Sequence, residues 1–206
     1  MNEAKSEIRT SEAIRNIRTA MLLFLLEVKI FGFDILPDFI GWLCLIKAVD
    51  ILAGKAEGIE RIRGFGRILL WYEVLLVVMN YIEIPFVDRI IPYAGIFTLS
   101  IRIYFMYIIL TAAADVSAAE GGGADTIKGV CRSRNRILLA ELAVYLFAAI
   151  QGVEQIGGWL YVPTVLYFLF YLICILHLIG LKEEVEAWEQ LHSGKETNLT
   201  EIVENP

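Results

Sequence analysis

The sequence predicts an all-α integral membrane bundle of six transmembrane helices arranged as three hairpins. Three observations predict it. Of the 206 residues, 57% are hydrophobic, against roughly 45–50% in ordinary soluble domains, and the mean hydropathy is +0.62. The apolar residues fall into blocks near the ~20 residues that a bilayer core demands, and several blocks are apolar on every face, as suits lipid or a bundle interior. The segments between the blocks alternate between basic and acidic.

The first apolar block covers residues 19–33 and contains Glu27 and Lys29. The second follows the Pro37 break and runs to about Leu52. The third is 68–84, interrupted by Glu73, and the fourth is 90–114, interrupted by Arg102. The fifth is 137–156, containing Glu141, and the sixth is 159–181, with His177 near its end. The first twenty residues are polar and no small-residue cleavage site follows the first block, so that block is expected to be a retained span, not a signal peptide.

Orientation follows from the loops. Lys5, Arg9, Arg15 and Arg18 precede the first block. Lys55, Arg61, Arg63 and Arg67 lie between the second and third, and Lys128, Arg132, Arg134 and Arg136 precede the fifth. The alternate loops carry Asp34 and Asp38, then Glu83, Asp88 and Arg89, then Glu154. Lysine and arginine beside span ends are retained in the cytoplasm, so the basic loops and both termini are expected inside. A first hairpin that only dips into the bilayer would leave four spans and the same orientation.

The implied organisation is a cytoplasmic segment 1–18, helices one to four over 19–115, a linker 116–136, helices five and six over 137–181, and a cytoplasmic tail 182–206. The linker is Gly-rich at Gly121-Gly122-Gly123 and then basic, and its glycines predict a flexible connection. In the tail, Leu181, Val185, Trp188 and Leu191 keep helical spacing, so an amphipathic extension of helix six is expected. From Ser193 to Pro206 the polar composition predicts disorder.

Each hairpin opens on a basic border followed by an apolar run with one glutamate: Arg18 with Glu27, Arg67 with Glu73, Arg136 with Glu141. Arg67-Ile68-Leu69-Leu70 also matches Arg136-Ile137-Leu138-Leu139. Two accounts stand side by side: a parallel repeat of three hairpins, or the alternation of basic borders and apolar runs that any multi-pass chain carries.

Charge at membrane depth marks the candidate binding residues, because such groups are costly and face a bundle interior or a water-filled cavity. Arg102 lies about ten residues, or ~15 Å, into its block, too deep to reach the surface easily. It calls for a carboxylate, and Glu27, Glu73 and Glu141 are the candidates. Glu27 is favoured because it lies at a similar depth, about nine residues or ~13 Å from its border arginine. A polar site of Arg102, Glu27, Glu73 and Glu141 would bind a charged solute or relay protons. The competing account is an internal ion pair that fixes helix register.

A second constellation is Phe33-Asp34-Ile35-Leu36-Pro37-Asp38-Phe39-Ile40-Gly41-Trp42. Pro37 suits the first turn of a helix. Asp34 near the N-cap and Asp38 in the first turn favour its positive end. Gly41 permits close helix approach, and Trp42 suits an interfacial belt. The bland reading is a well-capped turn; the sharper one is an external carboxylate pair binding a cation or a basic partner. This decapeptide resembles one found in small multi-pass membrane proteins of Gram-positive bacteria, a group to which no activity is assigned. The resemblance spans about a tenth of the chain and implies only class and location. The segment is also similar to the I-D-L-I-P-D-F-I-P stretch of another small bacterial family, with Gly41 in place of the second proline.

The net charge of −6 argues against a nucleic-acid partner. Cys44, Cys131 and Cys174 form no C-x-x-C pair, so no zinc ribbon or thioredoxin-like motif is written. G-x-S-x-G, H-E-x-x-H and G-x-x-x-x-G-K-[ST] are absent, and His177 and His192 are the only histidines. Glu183-Glu184 lies outside the apolar blocks, which excludes an intramembrane-protease reading. No enzyme, cofactor or metal site is therefore expected. The function expected is a small transporter or permease component in the cell membrane. The alternative is a non-transporting accessory or sensory protein acting through a membrane-protein partner or as a homo-oligomer.

Overall fold

The computed structural model describes residues 9–25, 29–30, 33–34, 38–79, 87–150 and 161–204. Within them the chain is all-helical except for one minimal strand pair. The helices are α1 (Thr10–Leu25), α2 (Asp38–Leu52), α3 (Ile62–Met79), α4 (Val87–Ala119), α5 (Ala124–Ile150) and α6 (Tyr161–Glu204), with a 3-10 turn at Ile59–Arg61 before α3. The strands β1 (Lys29–Ile30) and β2 (Phe33–Asp34) pair antiparallel with Lys29 opposite Asp34.

The first helix is displaced from its expected place. A span over 19–33 is expected, but α1 starts nine residues earlier and ends at Leu25. Its driving force is an amphipathic stripe rather than an all-apolar block. Ala13, Ile14, Ile17, Ala20 and Met21 are fully buried, at the i, i+1, i+4, i+7, i+8 spacing of one helical face. Residues 10–18 are therefore part of the packed helix α1. Lys29 lies in the strand β1 and not in a helix.

α1 and α2 have 16 and 15 residues, about 24 and 22 Å at the helical rise, and pack against each other. Trp42 sits in this joint at 1% exposure. Its ring lies 5.1 Å from that of Phe24 and 5.5 Å, edge-on, from that of Phe105 in α4. An interfacial belt position is thus corrected to a core one, because three helices converge on this ring. Gly41 makes the convergence feasible: a Cβ there would fall 2.4 Å from Phe24 Cε1. The same core continues through Leu45, Val49 and Leu52 of α2, Phe105 and Ile109 of α4, and Leu178, Leu181 and Val185 of α6.

Three of the remaining helices are long. α4, α5 and α6 have 33, 27 and 44 residues, about 50, 40 and 66 Å, so each exceeds the ~30 Å of a hydrocarbon core. Among the described residues two stretches, Phe97–Ala119 and Val162–His192, are long and apolar enough to cross a membrane. Large apolar side chains also face outward in helical stripes: Phe65, Ile68, Trp71, Leu75 and Val78 on α3, Leu139, Leu142 and Leu146 on α5, and Val162, Val165, Leu166 and Leu169 on α6.

The glycine run between α4 and α5 is a packed turn, not a flexible linker. Gly121 has φ +79°, and the Gly122 N–H donates to the Ser117 carbonyl at 2.7 Å. Together these form the six-to-one closure that ends a helix on a left-handed residue. A Cβ on Gly121 would lie 2.5 Å from Trp188 Cδ1, so glycine is needed both for the backbone conformation and for the indole above it. α5 then begins at Ala124, and the basic segment expected as linker forms its first turns.

α6 continues to Glu204, through most of the tail expected to be disordered. An existing helix extends by adding one hydrogen bond per residue without a new nucleus, so a composition too polar to start a helix still continues one.

Candidate functional site

The turn at 120–123 folds α4 and α5 into an antiparallel hairpin. Arg102 lies seventeen residues before Ala119, and Glu141 lies seventeen residues after Ala124. Equal counts from one turn place two residues at the same height, about 26 Å from the turn at the helical rise. Both also fall on buried faces. Arg102 follows Ile101 and precedes Phe105, and Glu141 continues the stripe Val130, Arg134, Ile137.

The two side chains meet. Arg102 donates from Nε to Oε1 of Glu141, and its Nη2 forms an ion pair with the same oxygen. Oε2 of Glu141 is buried and accepts no hydrogen bond. The pair is asymmetric: the Glu141 side chain is 3% exposed and that of Arg102 31%. Tyr167 and Tyr171 of α6 complete the surroundings, with ring centroids 4.8 Å apart and with electrostatic coupling to Arg102. Three helices therefore contribute to one buried polar site.

The carboxylate that reaches Arg102 is thus Glu141, whereas depth along the chain favours Glu27. Glu27 itself lies outside the described residues. Glu73 is half-buried on α3 and has a polar interaction of its own. Asp34 is in β2 and Asp38 opens α2; their side chains lie outside the described residues. Of the six expected binding residues, the structure brings together Arg102 and Glu141.

A second polar zone joins the helix ends near the 120–123 turn. Glu184 of α6 accepts from the Gly123 N–H and the Thr126 hydroxyl, both at 2.7 Å, and so caps the start of α5. Glu189, farther along α6, accepts from the N–H and hydroxyl of Ser11 at 3.1 and 2.6 Å and does the same for α1. Lys55 ties the α2 end to both neighbours, reaching Glu120 at 2.8 Å and the Thr10 hydroxyl at 2.9 Å. Two carboxylates on the α6 extension thus act as helix caps.

Nearby, a cleft of about 530 Å³ is lined by Lys55, Arg61, Tyr104, Thr111, Asp115 and Glu120. Arg134 is buried beside it. Its guanidinium lies 4.3 Å over the Tyr107 ring and donates to the Thr111 hydroxyl. His177 joins Ser133 across α5 and α6, Nδ1 to Oγ 3.1 Å. At the surface, the Lys47 hydrogen bond holds the Glu12 carboxyl below the usual carboxylate range, with Lys47 and Arg15 charges assisting and slight burial opposing. Its bond to Lys182 does the same for Glu186. Among the described residues no group of three His, Cys, Asp or Glu side chains is placed to hold a metal ion.

No protein-family model, no curated protein and no solved structure matches this chain.

Proposed function

We propose that this chain is a multi-pass cell-membrane protein of transporter or permease-component type, binding a small charged solute at Arg102 and Glu141. The observation that carries the reading is the ion pair itself, buried between helices whose outer faces are apolar. A buried pair contributes little net stability once desolvation is counted, so stability is a poor reason to keep one, and intramembrane charge is by default a functional signal. The apolar stripes on α3, α5 and α6 support lipid on the outside.

In this reading α3 to α6 cross the bilayer, and α1 with α2 forms a shorter hairpin that enters from the cytoplasmic side and returns. The lengths of α1 and α2 favour that over two full spans, and the burial of the 10–21 stripe against α6 favours a cytoplasmic N-terminus. The basic loops favour a cytoplasmic turn at 120–123 and a cytoplasmic end of α6. The C-terminal helix, which runs past the bundle with Leu191 exposed, favours a second role in which it contacts a membrane-protein partner.

The test is flux. Proteoliposomes of the full chain, challenged with a panel of charged solutes under an imposed gradient, are expected to take up one class, and Arg102→Met is expected to abolish that uptake. Reproducible co-purification of one membrane partner, with no flux for any solute, would replace transport with the accessory role.

A further inference from the structure

The cleft of about 530 Å³ between the 55–62 segment and α4 falls within the size of small-ligand sites, about 300–1,000 Å³. Its walls grade from apolar to charged. Tyr104 and Ile108 line one end, and Asp115 and Glu120 the other. Tyr104 and Asp115 are about 16 Å apart along α4 at the helical rise. The buried side chains of Ile59, Ile62 and Val116 form the floor.

At the charged end, Lys55 and Glu120 neutralise each other at 2.8 Å. Glu57, Arg61 and Asp115 are exposed, and none has a hydrogen-bond or ion-pair partner among the described residues. Arg134 stands behind the wall and donates to the Thr111 hydroxyl that lines it. Its other partners are the Asn135 side-chain oxygen and the Tyr107 ring, neither of which carries a charge. Arg61 and Arg134 therefore oppose Glu57 and Asp115 without net charge. A bare anion meets the two carboxylates there, and a bare cation meets the two guanidinium groups. A ligand carrying both signs suits the cleft better than either.

The other end selects a ligand with an apolar body. Tyr104 is 50% exposed and meets Phe65 of α3 edge-on, with ring centroids 5.7 Å apart. Phe65 heads the outward stripe of α3, and the exposed Phe97 lies two turns before Tyr104 on α4. The cleft wall at Tyr104 is thus continuous with the apolar outer surface of both helices. Phe97–Ala119 is one of the stretches long and apolar enough to cross a membrane, and Asp115 lies in its last turns. Where α4 crosses the bilayer, the charged end of the cleft falls at headgroup depth and Tyr104 at acyl depth. Basic pockets between spans at this depth are places where lipid headgroups are held.

We infer that this cleft binds a zwitterionic phospholipid with a primary ammonium, a phosphatidylethanolamine. Its phosphate accepts from Arg61, its ammonium donates to Asp115, and its acyl chains follow the apolar surface that begins at Tyr104 and Phe65. This rests on the membrane location proposed above and is independent of the solute site at Arg102 and Glu141.

The experiment is native mass spectrometry of the full chain in detergent micelles, titrated with phosphatidylethanolamine, phosphatidylcholine and phosphatidylglycerol of identical acyl chains. Phosphatidylcholine keeps both charges but has no N–H to donate, and phosphatidylglycerol has no cation. Each is expected to bind about tenfold more weakly than phosphatidylethanolamine, as loss of one charged hydrogen bond implies. Asp115→Asn is expected to abolish the preference for phosphatidylethanolamine over phosphatidylcholine. Arg61→Gln is expected to weaken both lipids alike, since both carry the phosphate. Both side chains are exposed, so the variants leave the packed core intact, and thermal unfolding checks this. Equal affinity for the three lipids would overturn the inference, as would a preference unchanged in Asp115→Asn or an affinity unchanged in Arg61→Gln. Soluble phosphoethanolamine is expected not to displace the lipid; displacement at equal concentration would make the cleft a solute site and overturn the lipid assignment. Alkaline carbonate extraction of cell membranes separates this from the membrane location itself. Release of the chain overturns the location, whereas retention without any lipid preference overturns the lipid site alone.

Discussion

Glu189 of α6 holds the first turn of α1 through Ser11, accepting from its backbone N–H at 3.1 Å and its hydroxyl at 2.6 Å. The residues are 178 positions apart, so the contact ties α1 to α6. A carboxylate at a helix N-terminus satisfies otherwise unpaired N–H groups and complements the helix dipole. Glu189→Ala is expected to lower stability by about 1–2 kcal/mol, as for the loss of a good cap. Denaturant unfolding in detergent checks this. Truncation after Leu191, which keeps Trp188 and Glu189, is expected to leave stability nearly unchanged, and truncation after Glu186 to lower it.

The turn at Gly121 gives a second expectation. Its φ of +79° and the indole 2.5 Å from any Cβ are separate obstacles to a side chain. Gly121→Ala is expected to cost about 1–3 kcal/mol. Trp188→Ala in the same chain removes the clash but not the left-handed backbone, so rescue is expected to be partial. Complete rescue, or no cost from Gly121→Ala alone, would show that the turn is loose. Thermal unfolding of the two single variants and the double variant distinguishes these outcomes.

Much of the helical order was legible in the sequence, and the failures have physical causes. The break before α2 was readable because Pro37 fixes one dihedral and Asp38 suits a first turn. α1 was misplaced because an all-apolar block was weighed above the narrower stripe from Ala13 to Met21. Three consecutive glycines were read as slack, although glycine also serves where packing leaves no room for a Cβ, as Trp188 shows at Gly121. The partner of Arg102 was recoverable: folding the chain at the glycine run brings 102 opposite 141. Depth measured from the basic borders favoured Glu27, which lies outside the described residues, because it treated each block as an independent span. The caps on α5 and α1 depend on carboxylates far away in the chain, and no local pattern announces them.

Topology is checked by accessibility. With Cys44, Cys131 and Cys174 replaced, Asp125→Cys and Lys128→Cys place single thiols on exposed residues of the first turns of α5. Both are expected to resist a membrane-impermeant thiol reagent in intact cells and to react after permeabilisation. Labelling from outside would invert the orientation drawn from the basic loops.

Acid is expected to weaken the outer face of the α1–α2 hairpin. Glu12 in the folded chain stays ionised below the usual carboxylate range because Lys47 donates to it at 2.8 Å. The folded state therefore binds fewer protons than the unfolded state as pH falls. The contribution is fully present above the unfolded carboxylate pKa of about 4.3 and is lost as pH drops through the folded value. Both side chains are substantially exposed, 59% for Lys47 and 38% for Glu12, so the effect is small and screened by salt. Glu12→Gln is expected to flatten the acid limb of a stability–pH curve at low ionic strength and to leave the neutral region little changed.

The most direct measurement is a double-mutant cycle on Arg102 and Glu141, reading folding and solute uptake in parallel. Arg102→Met and Glu141→Gln each strand a buried polar partner, and each is expected to cost about 3–5 kcal/mol of stability. The double variant leaves no unpaired charge and is expected to fold better than either single variant. If the pair is a solute site, the double variant folds, as judged by monodisperse purification and thermal stability, and takes up no solute in proteoliposomes. A double variant that recovers folding and uptake together would reduce the pair to a structural register pin and contradict the account.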